Sequence, residues 1–172
     1  MSIKVGDTLP TGTTFLHIPY QPEESFASCG IPVKVKTAEE WKGKKVVLVS
    51  VPGAFTSTCH QTHLPPYLEK SEEFKGKGVD VIAVFAANDP FVMSGWSKVS
   101  GLKDKVLSLS DPEATFAKQI GWDIDLSGRG IGLGTRVARG AIVLDDLKVV
   151  YVEREPGTDV SVSGADAVLA AL

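Results

Sequence analysis

The chain has 172 residues, 43% of them hydrophobic and 23% charged, with a net charge of −3. This size and composition are typical of one globular domain, which we expect to span residues 1–172, and the weakly acidic charge does not favour a nucleic-acid or anionic-membrane surface. The sequence has no run approaching the ~18–20 apolar residues of a membrane span, no signal-peptide pattern, and too few cysteines for a disulfide framework. We therefore expect a cytoplasmic protein whose two cysteines are catalytic, redox-sensing or simply buried.

The first half of the chain predicts irregular structure followed by alternating strands and helices. Residues 1–36 predict an irregular segment with short strands. Thr37–Glu40 has the spacing of a capping box and should start a short helix. Continuous apolar and β-branched residues predict buried strands over Lys45–Val51 and Val79–Ala86. Between them, Ser57–Lys75 should form a helix that bends at its Pro-Pro step.

In the second half of the chain, a capping residue followed by proline predicts the start of a helix at two places. Asn88–Pro90 predicts a helix that runs to about Ser100, and Ser110–Pro112 predicts another that ends at Gly121. The remaining expected elements are a short strand at Val106–Leu109, a glycine-rich loop at Ser127–Gly134, a hairpin of Ala138–Leu144 and Lys148–Arg154 turning at Asp145-Asp146, and a C-terminal helix capped by Ser163–Asp166.

This order of elements predicts an α/β fold. Helices between buried strands imply parallel neighbours, and the terminal hairpin implies antiparallel ones. The sequence therefore predicts a mixed central sheet with helices on both faces, and a thioredoxin-like fold is the natural candidate.

The segment "PGAFTSTCHQTHLP", Pro52–Pro65, connects the first buried strand to the following helix. Cys59 should lie in the first turn of that helix, where amide N–H groups without intrahelical partners and the helix dipole favour a thiolate over a thiol. Thr56 precedes Cys59 by three residues and can place a hydroxyl beside the sulfur. This arrangement suits attack by sulfur on a polarised oxygen.

These residues resemble the peroxiredoxins. Pro52-x-x-x-Thr56-x-x-Cys59 matches the active-site motif of that family, and "PGAFT…C…HLP" is similar to the type II peroxiredoxins, also called the peroxiredoxin-five class. Three further blocks extend the resemblance over nearly the whole chain. They are "VDVIAVFAANDPFVMSGWSK", "LSDPEATFAKQIG" and "PGTDVSVSGADAVLAAL".

The resemblance implies a thiol-dependent peroxidase that reduces hydrogen peroxide and alkyl hydroperoxides without metal, flavin or haem. Cys59 would be the peroxidatic residue and would become a sulfenic acid. Thr56 and backbone N–H groups would hold the peroxide oxygens, and Pro52 would shield the sulfur from water. Phe55 and Trp96 are candidates for an apolar mouth that receives alkyl peroxides.

The family also places an arginine beside the sulfur, at the start of a later strand. That position falls on Arg139 in "ARGAIVL", although Gly140 stands where the subfamily pattern has an aromatic residue. Arg136 and Arg129 lie close by, so a shifted alignment would assign Arg136 instead. A guanidinium here would stabilise the thiolate and the charge that develops on oxygen.

Cys29 is the second cysteine, and it is either a small buried residue or the resolving thiol. Many type II enzymes carry a resolving cysteine near the C-terminal hairpin, which this chain lacks. The subfamily also includes a cysteine in an N-terminal S-C-x-x-P context, which "SFASCGIP" resembles. The resemblance implies a Cys29–Cys59 disulfide between subunits of a homodimer, although an intrachain bond or a one-cysteine cycle stays open. Thioredoxin, or else glutaredoxin or glutathione, would reduce the disulfide.

Joining Cys29 to Cys59 requires movement of the Cys59 segment. The Cα atoms of a disulfide lie only ~4.4–6.8 Å apart, so a thiolate in the first turn must leave its pocket to meet a more distant partner. We expect local unwinding near Cys59 on oxidation.

Other interpretations of these residues are weaker. A cysteine hydrolase would pair Cys59 with His63, but no orienting acid is evident, and Cys59, His60 and His63 do not have the spacing of a metal site. The glycine-rich loop precedes a strand and lacks the Lys-Ser/Thr ending of a phosphate loop. The main rival function is a redox relay, in which Cys59 senses peroxide and passes the oxidation to a partner protein.

Overall fold

A computed structural model describes residues 2–172. Its strands are β1 (Thr14–His17), β2 (Val33–Lys36), β3 (Lys45–Ser50), β4 (Val81–Ala86), β5 (Leu107–Ser110), β6 (Asp123–Asp125), β7 (Thr135–Val137), β8 (Gly140–Asp145) and β9 (Lys148–Arg154). Seven of these strands form one sheet with the order β2-β1-β5-β4-β3-β8-β9. The central strands β3, β4 and β5 are parallel, whereas β1–β2, β1–β5, β3–β8 and β8–β9 are antiparallel pairs. A separate two-stranded sheet joins β6 to β7.

Helices cover both faces of the large sheet. They are α1 (Thr37–Glu40), α2 (Leu64–Glu69), α3 (Ser71–Gly76), α4 (Pro90–Val99), α5 (Thr115–Ile120) and α6 (Ala165–Ala171). One buried cluster joins the sheet to α2, α3, α4 and α6, and the other joins it to α5 and to Trp41, the C-cap of α1. Alternate residues of β3 face the two clusters, as the period of a strand requires.

This architecture is the mixed sheet between two helical layers that the sequence predicts. The buried strands and the hairpin were placed within a few residues of their observed bounds. The hairpin turn lies at Asp146 and Leu147, which have φ angles of +47° and +67°, one residue beyond the expected turn. No helix within residues 2–172 is long and apolar enough to cross a membrane.

Each of the two aspartates that precede a proline accepts hydrogen bonds from the first N–H groups of a helix. Asp89 is the N-cap of α4 and accepts hydrogen bonds from the N–H groups of Phe91 and Val92. Asp111 accepts from the N–H groups of Phe116 and Ala117 and so caps α5 from beyond an intervening 3-10 turn. Prolines after these aspartates begin their turns without leaving an unpaired N–H group.

The long helix expected over Ser57–Lys75 is wrong in its details. Cys59–His63 forms a π-helical turn, with the N–H of Leu64 donating to the carbonyl of Cys59. The helix then continues as α2 and breaks at Lys70. The irregularity therefore lies one turn before the prolines and again after them, not at the Pro-Pro step.

Two expected caps are also wrong. The Thr37 hydroxyl lies inside α1 and donates to the carbonyl of Thr13, while Lys36 occupies the N-cap position. Gly164 is the N-cap of α6 and forms no side-chain capping bond. The Ser163 hydroxyl is recruited by Glu155 instead, at 2.7 Å, and this contact brings the residue into the candidate active site.

Candidate active site

Cys59 lies at the carboxyl end of the central strand β3, where the chain leaves the sheet. The N–H of Val51 still pairs with the carbonyl of Phe85, and the chain then turns through Pro52–Phe55 into the π-helical turn. The side chain of Cys59 is fully buried, at 0% exposure. The carboxyl edge of parallel strands is where α/β folds place their sites.

Arg139 lies directly against the sulfur, since its Nη1 is 3.4 Å from Cys59 Sγ. Arg139 stands immediately before β8, the antiparallel neighbour of β3, so the topology brings it to the edge where Cys59 begins its helical turn. Its backbone carbonyl accepts from the N–H of Glu155, which anchors this point of the chain to the segment after β9.

Arg136, the alternative in the sequence, occupies a different place. Its Nε donates to the carbonyl of Leu133 at 2.6 Å. Its Nη1 lies 3.3 Å from the point where a Cβ on Gly53 would stand. Arg136 therefore covers the loop before Cys59, while Arg139 contacts the sulfur itself. Arg129 lies in an exposed 3-10 turn of the glycine-rich loop.

The Arg139 guanidinium is buried without an acidic partner. The residue is 8% exposed, and no Asp or Glu within residues 2–172 forms a salt bridge with it. Its Nε is buried and has no hydrogen-bond acceptor in the described part of the chain. A buried cation is costly unless an opposite charge compensates it, so the environment of Arg139 favours an anion in contact with the guanidinium.

His63 holds the other side of the guanidinium. Arg139 Nη1 lies 3.1 Å from His63 Nδ1, and because arginine has no acceptor, Nδ1 must accept this hydrogen bond. The proton of the neutral ring is therefore on Nε2, which donates to the carbonyl of Ser163 at 2.8 Å. Burial lowers the pKa of His63 to about 4, against an opposing effect of the Ser163 carbonyl. At neutral pH the imidazole is therefore uncharged. It accepts a hydrogen bond from Arg139 and does not neutralise the guanidinium charge.

Glu155 fixes the segment whose Ser163 carbonyl accepts the hydrogen bond from His63. Its carboxylate accepts from the backbone N–H and hydroxyl groups of both Ser161 and Ser163. Burial alone would raise the pKa of Glu155, but these hydrogen bonds outweigh it and lower the pKa to about 2. Tyr67 also donates to the carbonyl of Ser163. The loop behind His63 is thus fixed by an ionised carboxylate.

Thr56 and Pro52 frame the loop that leads to Cys59. The Thr56 hydroxyl donates to the carbonyl of Gly53 at 2.9 Å, so its oxygen lone pairs are free to accept from an incoming O–H group. The Thr56 carbonyl accepts from the N–H of His60, which ties the loop to the helical turn. Pro52 is half-buried at the exit from β3.

Of the two residues considered for an apolar mouth, only Phe55 is accessible. Phe55 is 51% exposed with a φ of +62°. Trp96 is completely buried, and its indole N–H donates to His60 Nδ1 at 2.9 Å. The expectation that Trp96 lines a mouth is therefore wrong, because this side chain joins α4 to the residue after Cys59 within the core.

Cys29 is not brought to Cys59. It is an exposed free thiol in the loop between β1 and β2, whereas Cys59 is buried. Its surroundings include Phe91 and Gly95 of α4. The interpretation of Cys29 as a small buried residue is therefore wrong.

The unusual Gly140 has a local reason. A Cβ at this position would lie 2.6 Å from both the backbone carbonyl oxygen of Glu153 and a ring carbon of Trp122. The buried Trp122 indole occupies the space beside the residue after Arg139. An aromatic residue there would collide with β9 and with Trp122. Glycine therefore stands at this position because Trp122 already fills the space that a side chain would need.

The pattern of the family described as Redoxin matches residues 4–169. The chain belongs to the redoxin family. Among relatives of this redoxin, Peroxiredoxin Pen c 3 from Penicillium citrinum is 44% identical over 172 residues, an alignment covering 98% of each chain. Relatives named peroxiredoxins that align over nearly the whole chain make this redoxin a peroxidase.

Solved structures agree with this assignment. The redoxin fold matches reduced Prx3 from Vibrio vulnificus in complex with H2O2, with a TM-score of 0.86, 37% identity and 98% coverage of both chains. Peroxiredoxin 5 from Alvinella pompejana matches with a TM-score of 0.79 and 30% identity, covering 98% of this chain and 97% of that one. The thioredoxin-like fold and the resemblance to the type II, peroxiredoxin-five class are both confirmed.

Proposed function

We propose that this peroxidase reduces hydrogen peroxide and alkyl hydroperoxides through Cys59, with Cys29 as the resolving cysteine and thioredoxin as the reductant. The observation that carries the proposal is the contact of Arg139 Nη1 with Cys59 Sγ at 3.4 Å, made by a buried guanidinium that has no acidic partner in the described chain. Thiolate, not thiol, is the nucleophile in peroxide reduction, and this cation favours it.

In the first step, the Cys59 thiolate attacks the terminal peroxide oxygen. A sulfur–oxygen bond forms, the O–O bond breaks, and Cys59 becomes a sulfenic acid, while the departing oxygen takes a proton and leaves as water or an alcohol. The Thr56 hydroxyl donates to the carbonyl of Gly53, and its oxygen would accept from the O–H of the peroxide. The Arg139 guanidinium stabilises the charge that develops along the breaking bond.

In the second step, the thiolate of Cys29 attacks the sulfur of the Cys59 sulfenic acid. A disulfide forms and hydroxide leaves, taking a proton to become water. Cys29 is exposed and is the only other cysteine of the chain. A thioredoxin dithiol then reduces the disulfide by thiol–disulfide exchange and is itself oxidised.

The proposed disulfide joins two subunits of a homodimer. Cys59 is fully buried and Cys29 lies in a loop beside α4, so at least one of the two segments must move. Unwinding of the short π-helical turn at Cys59–His63 would bring the sulfur out of its buried position. Exposed aromatic side chains at Phe26, Phe55 and Phe91 supply apolar surface for a second copy of the chain.

A non-reducing gel after one equivalent of peroxide tests the pairing. The wild type should give a band at dimer mass, and Cys29→Ser should lose this band but still form one sulfenic acid per chain. Cys59→Ser should consume no peroxide, and retained turnover would remove the central assignment. A disulfide found at monomer mass would instead make the bond intrachain.

Steady-state turnover separates the peroxidase cycle from the redox relay. With thioredoxin and its reductase, the proposed enzyme should consume many equivalents of hydroperoxide. A relay would give a single stoichiometric burst and then mixed disulfides with other proteins. Unchanged cycling by Cys29→Ser would show that an external thiol resolves Cys59.

A further inference from the structure

The loop that carries Cys29 makes its side-chain polar contacts with the rest of the described chain through one residue, Lys98. This loop, residues 18–32, connects β1 to β2, and its backbone hydrogen bonds within the described chain are internal ones, from Glu24 to Gln21 and from Ser28 to Ser25. No backbone pairing joins it to the sheet or to a helix in residues 2–172. Its polar attachment to the body depends on Lys98 of α4.

Lys98 makes several contacts with this loop at once. Its ammonium lies 3.2 Å from the Glu24 carboxylate, and the two side chains are only 17% and 13% exposed. It also donates to the carbonyl of Ser28 at 2.7 Å and lies 3.2 Å from the Ser28 hydroxyl. Ser28 is the residue immediately before Cys29. Lys98 therefore contacts the loop through an ion pair and through hydrogen bonds to the residue that precedes Cys29.

The packing beneath the loop is loose by comparison. Two cavities, of about 220 and 160 Å³, lie between the loop and α4, and Lys98 lines both. The apolar side chains of the loop face outward to a large extent, with Phe26 78% and Ile31 83% exposed. Ile18, at the start of the loop, is its one buried side chain at 7% exposed, and a Cβ on Gly30 would lie 2.4 Å from Ile18 Cγ2, a contact within the loop itself. Beyond Ile18, little buried apolar area resists lifting of the loop.

We propose that Lys98 is a positioning residue of the resolving step, and that its contacts with Glu24 and Ser28 hold the Cys29 loop on α4 until it is released toward oxidised Cys59. The inference rests on the proposed function, because it assigns Lys98 to the attack of Cys29 on the Cys59 sulfenic acid. The ammonium takes no part in the peroxide step. Release of the loop breaks noncovalent contacts only, among them the Lys98–Glu24 ion pair, and the covalent step that follows is the disulfide formation described above.

Lys98→Met tests this role, since methionine keeps the volume of the side chain and removes its charge. In the reduced variant, amide hydrogen exchange across residues 18–32 should become faster. After one equivalent of peroxide, the Cys29–Cys59 disulfide should form about ten-fold faster, equivalent to about 1.4 kcal/mol in the barrier. Lys98→Arg keeps the cation and should return both measurements toward wild type.

Lys75→Met is the matched control. It removes a lysine that pairs with Glu72 at 3.0 Å on the exposed surface of α3, and it should alter neither the exchange of the loop nor the rate of disulfide formation. Glu24→Gln removes one of the Lys98 contacts and leaves the Ser28 contacts, so its effect should be smaller than that of Lys98→Met.

The possible failures are distinguishable. If the wild type forms no Cys29–Cys59 disulfide, the resolving role of Cys29 fails and the positioning role of Lys98 fails with it. If the wild type forms the disulfide but Lys98→Met forms it no faster, or more slowly, only the Lys98 proposal is overturned. Unchanged amide exchange in Lys98→Met would also overturn it.

Discussion

Nη1 of Arg139 contacts both the sulfur of Cys59, at 3.4 Å, and Nδ1 of His63, at 3.1 Å. The guanidinium is thus held between a nucleophile and a neutral base, with no carboxylate of the described chain beside it. A carboxylate at the position of His63 would pair with the cation and weaken its field at the sulfur. An imidazole orients the guanidinium and leaves its charge available to the thiolate.

Removal of the Arg139 cation should slow the peroxide step severely. We expect Arg139→Ala to lower the second-order rate constant with hydrogen peroxide by about 100-fold or more, the usual effect of losing one preorganised donor to a developing oxyanion. Arg139→Lys should recover little, because an ammonium cannot reproduce the planar guanidinium. Stopped-flow fluorescence of the reduced protein measures both.

Arg136→Ala is the internal control for that measurement, since Arg136 covers Gly53 and not the sulfur. Its effect should be small compared with that of Arg139→Ala. The reverse order would mean that Arg136 supplies the active-site cation.

His63 should affect the same step through the orientation of Arg139. His63→Leu removes the acceptor at Nδ1, and the expected loss in the peroxide rate is about ten-fold, the lower end for a hydrogen bond to a charged group. His63→Gln can still accept through its amide oxygen and should lose less. Equal losses in both variants, or a normal rate in His63→Leu, would contradict an orienting role.

His63 should also make stability depend on pH. Its pKa falls from 6.5 to about 4 in the folded protein, because burial disfavours the charged ring. The unfolded chain therefore binds more protons between these values, so the free energy of unfolding decreases as the pH falls through this window, by about 3 kcal/mol in total. Above pH 6.5 this residue contributes no slope.

Thermal unfolding between pH 7.5 and 4.5 measures this effect. The wild type should lose stability below about pH 6.5, and His63→Gln should show a flatter curve because glutamine does not titrate. Glu155, whose pKa falls from 4.5 to about 2, stabilises the fold above pH 4.5 and should add its own loss below that value. A variant curve parallel to the wild type across the whole window would remove His63 as the cause.

Much of this fold could be predicted from local signals in the sequence. Asp89 and Asp111 both precede proline at the start of a helical segment, and both cap a helix in the structure. The apolar run at β3 and the hairpin of β8 and β9 are equally direct, because fully buried strands have continuous apolar sequences. The π-helical turn at Cys59–His63 had no such signal in the sequence, since α-helical and π-helical turns are built from the same residue types.

The candidate site likewise contains residues that could be predicted from the sequence and residues that could not. Pro52, Thr56 and Cys59 lie within one short segment, so their spacing alone places them together. Arg139 was predicted from the resemblance to the peroxiredoxins, and its place at the start of a strand favoured it over Arg136. Glu155 and Ser163 were missed as members of the site, because they reach His63 only through the return of the chain after β9. The sequence offered one signal for Ser163, because a serine at the start of a helix can form hydrogen bonds other than the one that caps the helix.

Gly140 supplies a further test, because it is the position where the sequence departs from the subfamily pattern. Gly140→Ala should destabilise the protein by about 1–3 kcal/mol, the usual cost of overpacking a filled core, since the new Cβ would lie 2.6 Å from the Glu153 carbonyl and from Trp122. Urea unfolding measures the loss, and Gly157→Ala is the control because nothing lies within 4 Å of its Cβ position. If Trp122 is what excludes a side chain here, then Gly140→Ala combined with Trp122→Leu should lose less than the sum of the two single variants. Strict additivity would instead place the obstacle in the backbone of β9, which cannot be relieved by a smaller side chain.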